Sequence, residues 1–155
     1  MNYTPDDFTM QIAEVLERHE KTFYESFAAK CDNAVITAIV TSFAKVEEQH
    51  LLAFKRMREA QPPFNRCRQC TDEELYGAAH EVYNIIYPDV GKIPTAISSS
   101  NIHKAFDMAI TMETQSATFY TLLAGITGPN IAILSRLAEG EKEHLRILTE
   151  QRKKI

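Results

Sequence analysis

Residues 34–57 read AVITAIVTSFAKVEEQHLLAFKRM, and this stretch decides the fold. Its apolar residues fall at steps of three and four: Ile36, Ile39, Val40, Phe43, then Phe54 and Met57. That is the period of a helix with one buried face. Glu47 and His50 stand in the same line, between Phe43 and Phe54, where a helix of this kind turns toward its core. An acid and an imidazole one turn apart on a buried face need a reason, because a buried carboxylate without compensation costs several kcal/mol, on the order of the stability of a small domain.

The pattern recurs. Glu141-Lys142-Glu143-His144 repeats the Glu-x-x-His of Glu47 and His50, in a line that runs Leu134, Leu137, Glu141, His144, Leu148. Each Glu-x-x-His is preceded by a Glu, five residues and Phe-Tyr: Glu17 with Phe23-Tyr24, and Glu113 with Phe119-Tyr120. Glu113 lies among Phe106, Ala109, Ile110, Ala117 and Tyr120. Glu17 follows Ile12 or Ala13 and precedes Tyr24 and Phe27. The step from the first Glu to the Glu-x-x-His is 30 residues in one half (17 to 47) and 28 in the other (113 to 141). With 15 Glu and five His, about 0.5 chance Glu-x-x-His matches are expected, so one match is weak and two in matched contexts are specific.

Outward from these motifs the chain reads as all-α. Helices are predicted over about 5–30, 33–60, 72–86, 101–124 and 130–152. Thr4 and Pro5 open the first, Asp32-Asn33 break it from the second, and Pro62-Pro63 end the second. Thr71-Asp72-Glu73-Glu74 opens a shorter helix, and the turn beginning at Gly125 separates the last two. Short links make two antiparallel hairpins. The long connection between them contains the short extra helix, which gives a ferritin-like four-helix bundle in a single domain spanning 1–155. A pseudo-twofold axis relating the hairpins would bring all four motifs to one level.

Four inward carboxylates carry −4, and two divalent cations cancel that charge while neutral imidazoles complete the shells. The spacing i, i+3 lets Glu and His reach one centre. The residues therefore point to two metal ions held by Glu17, Glu47, His50, Glu113, Glu141 and His144. Oxygen and imidazole donors without thiolate favour iron or manganese over a structural zinc site.

Composition narrows the alternatives. Apolar residues are 45% and charged residues 25%, with a net charge of −4. That leaves no basic footprint for nucleic acid and no polybasic membrane signal. MNYTPDDFTM lacks the features of a secretory leader, no apolar run is long enough for a bilayer, and the expected location is cytoplasmic. Three cysteines make no disulfide framework.

These residues resemble the rubrerythrin and ferritin-like diiron-carboxylate superfamily over the four long helices. The resemblance implies two Fe ions, with Mn or Zn as alternatives, and the six ligands named above. It leaves open whether Glu47 and Glu113 or Glu17 and Glu141 bridge the metals. It implies that the hydroxyls of Tyr24 and Tyr120 bond to ligand carboxylates; plain core tyrosines are the alternative. It implies a homodimer, and reduction of hydrogen peroxide or O2 with electrons from a separate donor protein. The alternatives are a ferroxidase-type or storage protein and a metal-free helical interaction module.

Three departures from the family stand out. There is no rubredoxin domain, and Cys67-Arg68-Gln69-Cys70 is a single pair in the crossover, read as free thiols, a redox pair or half of a shared metal site. Ser116 occupies the position of the family's extra glutamate, and the pseudo-symmetric position on the first helix is Glu20, a candidate seventh carboxylate or else a surface acid. His144 sets the chain apart from typical ferritins, and the long crossover sets it apart from bacterioferritins. His19, His80 and His103 lie off the pattern and are expected at the surface.

Overall fold

A computed structural model of the chain describes residues 5–60, 101–126 and 131–155. They form four helices: α1 (Pro5–Lys30), α2 (Ala34–Glu59), α3 (Ile102–Ile126) and α4 (Ile131–Arg152). The predicted short helix over 72–86, Cys67, Cys70 and His80 lie outside the described residues.

Local chemistry sets the helix ends. Asn33 caps α2, its Oδ1 accepting from the amides of Val35 at 3.0 Å and Ile36 at 3.2 Å. The Thr37 hydroxyl donates to the Cys31 carbonyl at 3.0 Å and fastens the turn from the other side. Asn101 does the same for α3, accepting from the Lys104 amide at 3.2 Å. Both helices thus begin one residue later than predicted, because each asparagine is the cap and not the first helical residue. Arg56 and Arg58 in the last turn of α2, and Arg152 in the last turn of α4, complement the negative ends of those helices. Gly125 does not end α3 as predicted. It stays helical, with no positive φ, and the helix continues to Ile126.

The helices form two packed pairs, α1 with α2 and α3 with α4. The chain divides into two compact units. The first contains α1 up to Phe23 and α2 from Ala44. Its core includes Met10, Ala13, Leu16, Phe54 and Met57. Burial on this part of α1 is not confined to one stripe: Gln11, Glu14 and Val15 are buried as well. Glu14 is held by Arg58, whose Nε donates to its Oε1 at 2.7 Å, and Lys21 pairs with Glu48 at 3.0 Å. These contacts tie α1 to α2.

The second unit contains α1 from Tyr24, α2 up to Phe43, α3 and α4, so segments of all four helices meet within it. Phe27 meets Phe106 edge-on at 5.5 Å, and Tyr24 meets Phe43 edge-on at 5.4 Å. Ala105, Ala109 and Ala117 on α3 and Ala138 on α4 are buried small residues, with Leu134, Leu137 and Leu148 supplying the bulk. The predicted core lines are buried as read, except that Ile12, Ile39 and Ile110 are only half-buried. No helix of the described residues is long and apolar enough to cross a membrane.

Candidate metal centre

Each unit contains one carboxylate–carboxylate–imidazole triad. In the first unit Glu17 comes from α1, and Glu47 and His50 come from one face of α2. His50 Nδ1 lies 2.9 Å from Glu47 Oε2 and 3.3 Å from Glu17 Oε2. In the second unit Glu113 comes from α3, and Glu141 and His144 come from one face of α4. His144 Nδ1 lies 3.3 Å from Glu141 Oε2 and 3.4 Å from Glu113 Oε1. The i, i+3 spacing therefore does the same work on α2 and α4, turning Glu and His toward one point. All four glutamates are 0% exposed, while His50 and His144 are 9% and 6% exposed.

The second triad has visible aromatic supports. The Tyr24 hydroxyl donates to Glu113 Oε1. The Phe43 ring stacks on His144, centroids 4.1 Å apart and planes 25° apart, and Tyr24 in turn meets the edge of Phe43. Ring, imidazole and carboxylate thus restrain one another. Tyr120 is fully buried.

The donor set suits a metal ion. In each triad the ligand atoms lie within 4.8 Å of one another. Ligands held about 2.1 Å from a small divalent ion are up to about 4.2 Å apart, so a slight contraction closes the shell. Charge points the same way. Two carboxylates carry −2; a protonated imidazole would leave each triad at −1, whereas a divalent cation with a neutral imidazole leaves it neutral. Oxygen and nitrogen donors without thiolate suit Fe, Mn or Zn.

Several side chains depart from the sequence reading. Glu20 is fully buried, so it is not the surface acid that was its alternative role. Ser116 is fully buried too, its hydroxyl donating to the Met112 carbonyl at 3.0 Å. His19 is half-buried where a surface position was expected. His103 is exposed as expected, with Arg152 Nη1 2.5 Å from its Nδ1. Arg58 reaches in to Glu14, one turn before Glu17. The outer face of α4 behaves as a solvated one: Arg146 bonds Glu143 and Glu150, which holds the Glu143 carboxyl below its ordinary value.

Compared with protein-family models, curated proteins and solved structures, the chain matches none of them. What the geometry defines is a chain whose described residues form helices, with buried Glu/His groups able to hold metal ions.

Proposed function

We propose that the two triads each hold one iron ion as a pair and that the protein is a diiron-carboxylate oxidoreductase of rubrerythrin type in a ferritin-like bundle. It would reduce hydrogen peroxide or O2 with electrons from a separate donor. The observation that carries this reading is the burial of two like-built Glu–Glu–His triads, whose negative charge divalent cations neutralise. The pairing of the ions rests on the matched 30- and 28-residue steps in the sequence and on the likeness to carboxylate-bridged helical bundles.

When bound, the iron supplies the electrons and Lewis acidity that the reduction needs. The residues of this chain supply the rest. Glu17, Glu47, Glu113 and Glu141 provide anionic oxygens that can change their mode of binding as charge changes. His50 and His144 provide neutral nitrogens. Tyr24 holds one oxygen of Glu113, and Phe43 fixes the plane of the His144 ring. The aromatic residues around the second triad exclude bulk water, which strengthens every electrostatic contact there.

The test is to load the protein anaerobically with Fe(II) and mix it with hydrogen peroxide. The expected result is oxidation of two Fe per chain much faster than that of free Fe(II). Oxidation no faster than the free ion would remove the enzymatic reading. Gel filtration separates the storage reading, since a dimer has no hollow interior for mineral.

A further inference from the structure

Resting on the metal-pair reading, we infer that the flank of α2 beside His50 is the docking surface for the electron donor, and that the donor is a small acidic one-electron carrier protein. Glu17 and Glu47 have no exposed surface, so within the first triad only His50 reaches the outside, with 11% of its side chain exposed. Successive helical residues turn by about 100°, which fixes what surrounds that edge. On one side of α2, Glu48 pairs with Lys21 and Arg58 with Glu14, so that side faces α1. On the other side lie Val46 and Ala53, half-buried one turn before and after His50. Beyond them lie Lys45, Gln49, Leu52 and Arg56, all exposed. This strip holds two cations and no acid, on a chain whose net charge is −4. Neither cation has an ion-pair partner among the described residues. Around His144 the charges instead cancel: Lys142 pairs with Glu139, and Arg146 with Glu143 and Glu150.

Charge selects the partner. Two uncancelled cations with an exposed leucine between them favour a face that presents carboxylates around an apolar centre, and they repel a basic one. The strip spans three turns, roughly 16 Å. That is the scale of the small interfaces, under about 1,200 Å², that serve brief electron-transfer encounters. Opposite charge steers such a partner in, and the small contact lets it leave after transfer. Each encounter oxidises the donor by one electron. Two encounters supply the two electrons that, with two protons, reduce one hydrogen peroxide to two waters. Docking on this strip sets the donor beside the imidazole edge, the part of the first triad that meets solvent.

The experiment uses an acidic flavodoxin as probe and a basic cytochrome c as control. Isotope-labelled protein loaded with Zn(II), which passes no electrons, is titrated with each oxidised carrier and followed by NMR. Flavodoxin is expected to shift amides within residues 45–56 at low salt and to lose that effect at high salt, while cytochrome c shifts none of them. The variant Lys45→Glu with Arg56→Glu, changed only at exposed positions, loses the flavodoxin shifts. In stopped flow at low salt, flavodoxin hydroquinone reduces the Fe(III)-loaded variant about tenfold more slowly than wild type, while peroxide oxidises the Fe(II)-loaded variant at the wild-type rate. Lys45→Arg with Arg56→Lys behaves as wild type, and so does Arg136→Glu, which reverses an exposed cation on α4. Amide shifts confined to other residues, no shifts at all, or an equal loss in Arg136→Glu overturns the inference and leaves the metal-pair reading standing. Retention of neither Zn(II) nor iron by the wild type overturns both.

Discussion

The Glu17–Glu47–His50 and Glu113–Glu141–His144 triads are built from the same residue types at the same helical spacings, but different neighbours support them. Beside the first, one turn along α1, lies an ion pair: Arg58 reaches from α2 to Glu14 at 2.7 Å. Against the second lie aromatic rings: Phe43 stacks on His144, and Tyr24 bonds Glu113. The metal-ligand pattern constrains only the residues that touch the ion. Among the described contacts, an ion pair lies one turn from the first triad and rings pack against the second. Substitutions in the supports should therefore affect one triad and spare the other.

The largest effect is expected from Phe43→Ala. It removes a buried ring and leaves a cavity against His144, which costs about 3–5 kcal/mol of stability. Chemical denaturation should show that loss, and Co(II) binding should weaken at the second-unit position alone. Equal weakening at both positions would mean that the supports are shared. Glu14→Ala is next. It removes the hydrogen-bonded Glu14–Arg58 ion pair, at a cost of about 2–3 kcal/mol, and it should disturb the first-unit ion more than the second. Tyr24→Phe removes a hydrogen bond to a buried carboxylate, worth about 1.5–2 kcal/mol, and should shift the second-unit binding constant without changing the number of ions bound.

The smallest effect lies on the outer face of α4. The hydrogen bond from Arg146 holds the Glu143 carboxyl below its ordinary value. A lowered carboxyl lends stability above its unfolded-state value and loses it as the pH falls through its folded-state value. For so exposed a pair the change in melting temperature is small. The clearer readout is an NMR titration in which the Glu143 midpoint rises toward normal in Arg146→Ala. Metal binding should not respond, since neither side chain is buried.

Much of this was legible in the sequence because periodicity reports burial directly. The line Phe43, Glu47, His50, Phe54 on α2 and the line Leu137, Glu141, His144, Leu148 on α4 are buried as their spacing implies. The ends of the four described helices fall within two residues of their predicted positions, and Asn33 and Asn101 carry their own capping chemistry. The misses have physical causes. Gly125 reads as a turn from its type, but a glycine in a helix costs only about 1 kcal/mol, which packing can offset. The Glu14–Arg58 pair depends on the register of α2 against α1, and no local pattern encodes that register. The Phe43–His144 stack joins residues 101 positions apart. Phe43 was recognisable as a core residue, but its partner was not. The contact from Tyr24 to a carboxylate was implied only by family resemblance, since a buried tyrosine has many ways to satisfy its hydroxyl.

The most direct measurement is metal analysis of protein loaded anaerobically with Fe(II) and then desalted, alongside its His50→Ala and His144→Ala variants. Two iron ions per chain in the wild type, and one in each variant, is the result expected if each buried triad holds a cation. Less than one ion per chain in the wild type, or a histidine variant that keeps both, would contradict it.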